Sequence, residues 1–198
     1  MIILLGFPKS GTSSFQSLFT NLKYKSYHHV KGKQYIGTLI QNNKNKNKPL
    51  LSDFTKSDCI TQMDCCMSKD DVYWPQITDY EQIYNENKDA IFILNKRNPE
   101  NLLSSFKRWG TLHKRIFELS PSIFKDNSDN SDKSFIELFN THYNNIETFF
   151  GTHPESKFIT FDIENDNINK LEKYIDLQGI KVFPKINVNK ISTNPNQR

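Results

Sequence analysis

The run Gly6-Phe7-Pro8-Lys9-Ser10-Gly11-Thr12-Ser13-Ser14 sets two glycines five residues apart, with a lysine between them and hydroxyl side chains behind the second. Glycine permits the tight turns such a loop needs. Where a turn opens a helix, the first N–H groups lack intrahelical partners and the dipole presents its positive end. That is a site for a phosphate or a similar oxyanion. A loop for nucleoside triphosphates reads G-x-x-x-x-G-K-[ST], with its lysine directly after the second glycine. Here Thr12 holds that place and the cation sits inside the loop, at Lys9. A second pair, Arg97 and Ser105, stands eight residues apart. A guanidinium and a hydroxyl about two helical turns further on can hold one phosphate between them. His28, His29 and Asp64 are candidate proton acceptors, because histidine titrates near neutrality and a carboxylate can act as base or orient a histidine.

These groups need strands to carry them. Ile2-Ile3-Leu4-Leu5 reads as a buried strand running into the loop, strand 1 at 1–6. Phe15, Leu18, Phe19 and Leu22 recur at i, i+3, i+4 and i+7, the apolar stripe of a helix over 12–22. A short strand is expected over 24–30, and on it His28 and His29 would point to opposite faces. Residues 58–63 read as a strand ending at Asp64, and 90–95 as one ending before Arg97. Pro99 suits the first turn of a helix over 99–109. Further helices are expected over 77–87, 134–150 and 166–177, and a strand over 157–161. The polar, low-complexity run 42–49 reads as a surface loop, as does 126–132. Strands alternating with helices imply an α/β fold of three layers, α/β/α, around a central parallel sheet. A ligand then lies beyond the carboxyl ends of the strands. The loop, the histidines, Asp64 and Arg97 all fall on that rim.

The P-K-S-G-T loop with its internal lysine, followed by a later strand ending in Arg97-Asn98-Pro99 and by Ser105, resembles the sulfotransferases that use 3′-phosphoadenosine 5′-phosphosulfate (PAPS). Minor matches in the same order are Tyr27-His28, Asp64, Trp74-Pro75 and Phe183-Pro184-Lys185-Ile186-Asn187. The resemblance covers Ile2 to about Asn189 and implies a P-loop NTPase-like sulfotransferase fold in a single domain, 1–198. It implies PAPS as donor and PAP as product, with no metal. Pro8, Lys9, Ser10, Gly11, Thr12, Ser13 and Ser14 would bind the donor's 5′-phosphate, and Arg97 and Ser105 its 3′-phosphate. Lys9, His28 and Asp64 would carry the chemistry. The chain departs from many members in having Ser13-Ser14-Phe15 for Thr-Thr-Trp. It also lacks the glycine-rich basic loop near the C-terminus, for which Lys190 or Arg198 would have to substitute.

A net charge of +4 suits an anionic ligand and does not argue for nucleic acid. Cys59, Cys65 and Cys66 form no disulfide framework and no C-x-x-C pair, which reads as a reduced, cytoplasmic chain without a metal site. No run approaches the roughly 20 apolar residues of a membrane span, and no signal peptide is expected. The resemblance implies a small-molecule, glycan or peptide acceptor. Segments 31–57, 66–76 and 110–133 would line its side, with Tyr35, Phe54, Tyr73, Trp74 and Trp109 either facing it or serving as core. His113, His142 and His153 read as incidental. Two other functions stay open: a P-loop kinase-like enzyme and a non-catalytic nucleotide-binding protein.

Overall fold

A computed structural model describes residues 1–124 and 129–186. In chain order the strands are β1 (Ile2–Leu4), β2 (Lys25–His28), β3 (Val30–Lys31), β4 (Gln34–Tyr35), β5 (Asp58–Gln62), β6 (Cys65–Cys66), β7 (Val72–Tyr73), β8 (Ile91–Lys96) and β9 (Lys157–Asp162). The helices are α1 (Thr12–Asn21), α2 (Ile36–Asn45), α3 (Pro75–Thr78), α4 (Tyr80–Glu86), α5 (Pro99–Arg108), α6 (Leu112–Leu119) and α7 (Asp132–Gly151). Two 3₁₀ turns cover Pro121–Ile123 and Ile168–Lys173.

The main sheet runs β4-β3-β2-β5-β1-β8-β9. Its five strands β2, β5, β1, β8 and β9 are all parallel, and β3 and β4 add an antiparallel edge. Both faces are covered. Side chains alternate along β1, so Ile3 and Leu5 enter one core with Phe92, Phe106, Phe139 and Ile146, while Ile2 and Leu4 enter the other with Phe15, Leu18 and Phe19. That is why β1 has no polar face. From β1 the chain crosses through α1 to β2 on one side. From β8 it passes through α5 to α7 and reaches β9 on the other. The crevice between β1 and β8 is therefore the switch point at which such folds bind ligands.

Several sequence expectations shift. The polar run 42–49 is helical up to Asn45, because α2 buries only Ile36, Gly37, Ile40 and Asn43 against the sheet. Asn43 earns its burial by donating to Leu50 O (3.1 Å) and Asp53 Oδ2 (2.7 Å). The helix over 77–87 starts earlier and breaks at Asp79, whose carboxylate accepts from Tyr73 Oη at 2.6 Å and from Thr78 and Lys44. Segment 110–133 contains α6. The helix over 166–177 is only a 3₁₀ turn, entered through Asn167, whose side chain accepts from Asn169 N. The expected loop 126–132 lies partly outside the described residues, and α7 takes its last residue, Asp132. Asn187, Lys190 and Arg198 also lie outside them. No helix among the described residues is long and apolar enough to cross a membrane.

Candidate functional site

β1 ends in a loop, residues 6–11, that Asn95 holds from below. The Gly6 N–H donates to Asn95 Oδ1 at 2.8 Å, and Asn95 Nδ2 donates to Ser10 O (2.9 Å) and Ser10 Oγ (2.8 Å). One fully buried amide thus ties both ends of the loop to the end of β8. Gly6 is required for this approach, since a Cβ there would lie 2.2 Å from Asn95 O. The Ser10 hydroxyl is turned inward and donates to Phe7 O, so Ser10 shapes the loop from inside. Lys9 and Gly11 both adopt left-handed backbone, φ 67° and 81°. For lysine that conformation costs on the order of 1 kcal/mol and is held by the surrounding contacts. Under the loop, His142 on α7 meets Leu5 O through Nε2 at 2.7 Å, and its ring lies edge-on to Phe7. His142 was expected to be incidental; it supports the root of the loop. Burial pushes it down to about 4, so it is neutral. α1 opens at Thr12 with no side-chain cap hydrogen bond, and its positive dipole end lies at the loop.

Lys9 Nζ lies 3.8 Å from the centroid of the Trp109 ring. Desolvation lowers its pKa, and the positive charges of Arg97 and Arg108 lower it further. Arg97 Nη1 donates to Lys9 O at 3.2 Å, while its Nε pairs with Glu164 Oε1 at 3.0 Å. Glu164 also accepts from the Asn98 N–H at 3.1 Å. Pro99 does open α5, and Asn98 caps it by accepting from Asn101 N. Ser105, two turns along, lines the same cleft as Arg97.

The wall on the other side of α1 carries the titratable groups. His28 Nε2 is 3.0 Å from Thr12 Oγ1 and 3.5 Å from Ser13 Oγ. Thr12 Oγ1 donates to Gln62 Oε1 at 3.2 Å, and Gln62 Nε2 donates to Asp64 Oδ2 at 3.1 Å. Gln76 Nε2 donates to Asp64 Oδ1 at 3.2 Å. With the Thr12 proton given to Gln62, Thr12 accepts from His28, which places the His28 proton on Nε2. Burial, then the nearby His29, pushes His28 down to about 4. Burial pushes the Asp64 carboxyl up, opposed by His29 and by the two amides. The expected alternation of His28 and His29 fails. The pairing of β2 with β5 shifts register between Tyr27 and His28, β2 ends at His28, and His29 turns left-handed at φ 64°. Both rings therefore line the cleft.

The cleft measures about 1020 Å³. Pro8, Lys9, Gly11, Thr12, Ser13, Ser14, His28, Asp64, Arg97 and Ser105 all line it, and Ser10 lies just beneath. Trp74 and Trp109 line it too. Tyr35, Phe54 and Tyr73 do not: Phe54 is core against Tyr27, and Tyr73 binds Asp79. Several residues were missed in the sequence. Asn95 was visible only as a lone polar residue closing an apolar run. Gln62, Gln76, Arg115 and Glu164 carry no local signal. The segment Lys181–Ile186 also borders the cleft: Phe183 packs on Phe15 and Phe161 (ring centroids 4.8 and 5.1 Å), and Ile186 N donates to Ser14 Oγ at 3.1 Å.

No curated protein matches the chain. A family model described as a sulfotransferase domain matches residues 1–190, a span that holds the loop, the Arg97–Ser105 pair and all five parallel strands. The chain therefore belongs to the sulfotransferase domain family.

Proposed function

We propose that this sulfotransferase takes its sulfuryl group from PAPS, passes it to a hydroxyl or amine acceptor and releases PAP. The observation that carries the reading is the position of Lys9: inside the loop, against Trp109, with Arg97 and Arg108 as neighbouring cations. The residues present fit a donor with several anionic groups. The first-turn N–H groups of α1 and the hydroxyls of Thr12, Ser13 and Ser14 hold the 5′-phosphate. Arg97 and Ser105 hold the 3′-phosphate, with Glu164 keeping the guanidinium in place. The bound donor supplies an activated sulfur–oxygen bond.

Lys9 then stabilises the negative charge that grows on the bridging oxygen as that bond breaks. A desolvated ammonium crowded by two other cations gains most when an anion arrives, and a fixed charge aimed at developing charge accelerates the step. Two groups are in place to take the acceptor's proton. His28 is neutral with Nδ1 as its lone-pair nitrogen, and burial, by lowering it to about 4, makes it the weaker base of the two. Asp64 is raised by burial toward the range where a carboxyl exchanges protons near neutral pH. The amides of Gln62 and Gln76 fix its two oxygens.

A thermal-shift panel of PAP, PAPS, ATP with magnesium, and NAD tests the reading. PAP should stabilise the protein without added metal, by about 2.7 kcal/mol at a hundredfold excess over its Kd. Stabilisation by ATP with magnesium and none by PAP would overturn the proposal in favour of a kinase-like enzyme. Single-turnover transfer of label from PAPS then separates an enzyme from a nucleotide-binding protein that kept the fold.

A further inference from the structure

Five large hydrophobic side chains are exposed among the described residues, and four of them, Met67, Trp109, Val182 and Ile186, line the cleft instead of the outer surface. Val182 and Ile186 belong to the C-terminal segment beside α1. Met67 and Trp109 belong to the opposite region, where Cys66, Trp74 and Leu112 complete an apolar wall. Part of that wall is tied together. Trp74 Nε1 donates to Ser120 Oγ at 2.8 Å, the Cys66 thiol lies 3.6 Å from the same hydroxyl, and Trp74 packs against Phe7.

Two guanidiniums stand at this wall: Arg108, which donates to the Ser104 hydroxyl and adds to the positive field at Lys9, and Arg115. Arg115 on α6 lines the cleft, its Nε is buried without a hydrogen-bond partner, and none of the ion pairs among the described residues involves it. Arg97 differs, being engaged by Glu164. The Cys66 thiol feels the charges of both Arg115 and Asp64 and contacts the Arg115 side chain. The donor's anionic groups have their own partners in the loop, Lys9, Arg97 and Ser105. A cleft-lining guanidinium that is in no ion pair, contacts the Cys66 thiol and leaves its buried Nε unpartnered is suited to bind an oxyanion of another molecule.

We infer that the acceptor is an acid: a molecule joining the hydroxyl to be sulfated to an apolar or aromatic body and a carboxylate that Arg115 binds. The inference rests on the sulfuryl-transfer reading. The body lies on Met67, Trp74, Trp109 and Leu112, the carboxylate meets Arg115, and the hydroxyl points toward Lys9. The acceptor oxygen forms its bond to sulfur as the sulfur–bridging-oxygen bond breaks. That electron pair leaves on PAP, and the hydroxyl proton passes to Asp64 or His28.

Two phenols of similar shape test this, 4-hydroxyphenylacetate and the neutral 4-ethylphenol, with labelled PAPS as donor. The acid should show the higher kcat/KM, and Arg115→Gln should shrink the acid-to-neutral ratio on the order of 10–100-fold, the worth of a charge-assisted contact. Arg115→Lys keeps the charge, loses the planar fork and should restore part of the ratio; it also carries the comparison if Arg115→Gln misfolds. Equal use of the two phenols overturns the inference. So does a ratio that Arg115→Gln leaves unmoved, or PAP binding with no transfer to the acid. A PAP titration run alongside separates the two levels: failure of the inference with PAP bound leaves the proposed function standing, whereas absent PAP binding removes both.

Discussion

On the loop side of the cleft the main polar groups are matched within the protein. Gly6 N–H and both ends of Ser10 are tied to Asn95, Leu5 O to His142, and Arg97 to Glu164 and Lys9 O. On the facing side, His29 Nδ1 and Arg115 Nε are buried with no partner, as is Oε1 of Gln76, which holds Asp64 but does not itself line the cleft; they are three of only four such side-chain atoms among the described residues. An orphaned buried group costs about 1–3 kcal/mol. The difference has a physical meaning. A site for a donor of one fixed shape can be completed by the fold in advance. A wall whose polar atoms wait for partners is completed by the molecule that arrives, and its unfavourable energy is relieved only then. Backbone strain does not follow this division. Left-handed Lys9 and Gly11 lie in the tied loop, where surrounding contacts hold them, and His29 on the facing side is left-handed at φ 64° as well.

The largest expected effect is on the rate. If the loop amides hold the ground state and Lys9 serves the leaving oxygen, Lys9→Ala should lower single-turnover transfer by about 10²–10³ while weakening PAP much less. Equal losses in both measurements would make Lys9 an ordinary binding residue. Next in size is Gly6→Ala. A Cβ 2.2 Å from Asn95 O cannot be accepted without moving β8 or the loop, and overpacking of this kind costs about 1–3 kcal/mol. Denaturant melts should show the loss, and PAP affinity should fall with it. A stable variant with native affinity would show that Asn95 does not fix the loop.

A third measurement uses pH. His142 is a base whose folded pKa, about 4, lies below its ordinary 6.5. Its contribution is fully present above about pH 6.5 and is lost as the pH falls toward 4, because the unfolded chain takes the proton first. A depression of this size corresponds to about 3 kcal/mol. His142→Gln, which keeps a donor for Leu5 O, should flatten the stability profile between pH 6.5 and 4. An unchanged slope would assign the acid sensitivity to the carboxylates or to His28, which is depressed in the same direction.

What the sequence disclosed was whatever is local. The loop motif, the Arg97–Ser105 spacing and the stripe of Phe15, Leu18, Phe19 and Leu22 are read from neighbours along the chain, and the structure places them as expected. What it hid depends on other elements. α2 was masked by asparagines and lysines, because four buried positions suffice for a helix packed on one side. His29 was assigned to the wrong face because a register shift is a property of a strand pair, not of one strand. Asn95 was open to recognition as a polar residue ending an apolar strand beside a glycine loop. Arg115 was not: it lies on α6, in a stretch read as a loop, and only the packing of α6 beside β6 brings it to the cleft.

The smallest effect sharpens the comparison most, because it sets one arginine against another. Arg97 donates to Glu164 and to Lys9 O, and Glu164 also holds the start of α5 through Asn98. Removing the Arg97 guanidinium leaves a carboxylate and a loop carbonyl with fewer partners, so Arg97→Met should destabilise by about 1 kcal/mol, the range for a partly exposed, hydrogen-bonded pair. Arg115 supports less: its side chain contacts the Cys66 thiol, and it is in none of the ion pairs among the described residues. Replacing it with Met removes the orphaned Nε and adds an apolar side chain beside Met67, Trp74 and Leu112. Arg115→Met should therefore be neutral or stabilising, by about 0–1 kcal/mol, since apolar replacement of an unsatisfied polar group removes its desolvation penalty. Urea melts of the two variants without ligand decide it. A loss for Arg115→Met as large as that for Arg97→Met would mean that Arg115 already has a structural partner, and that both walls are completed by the fold alone.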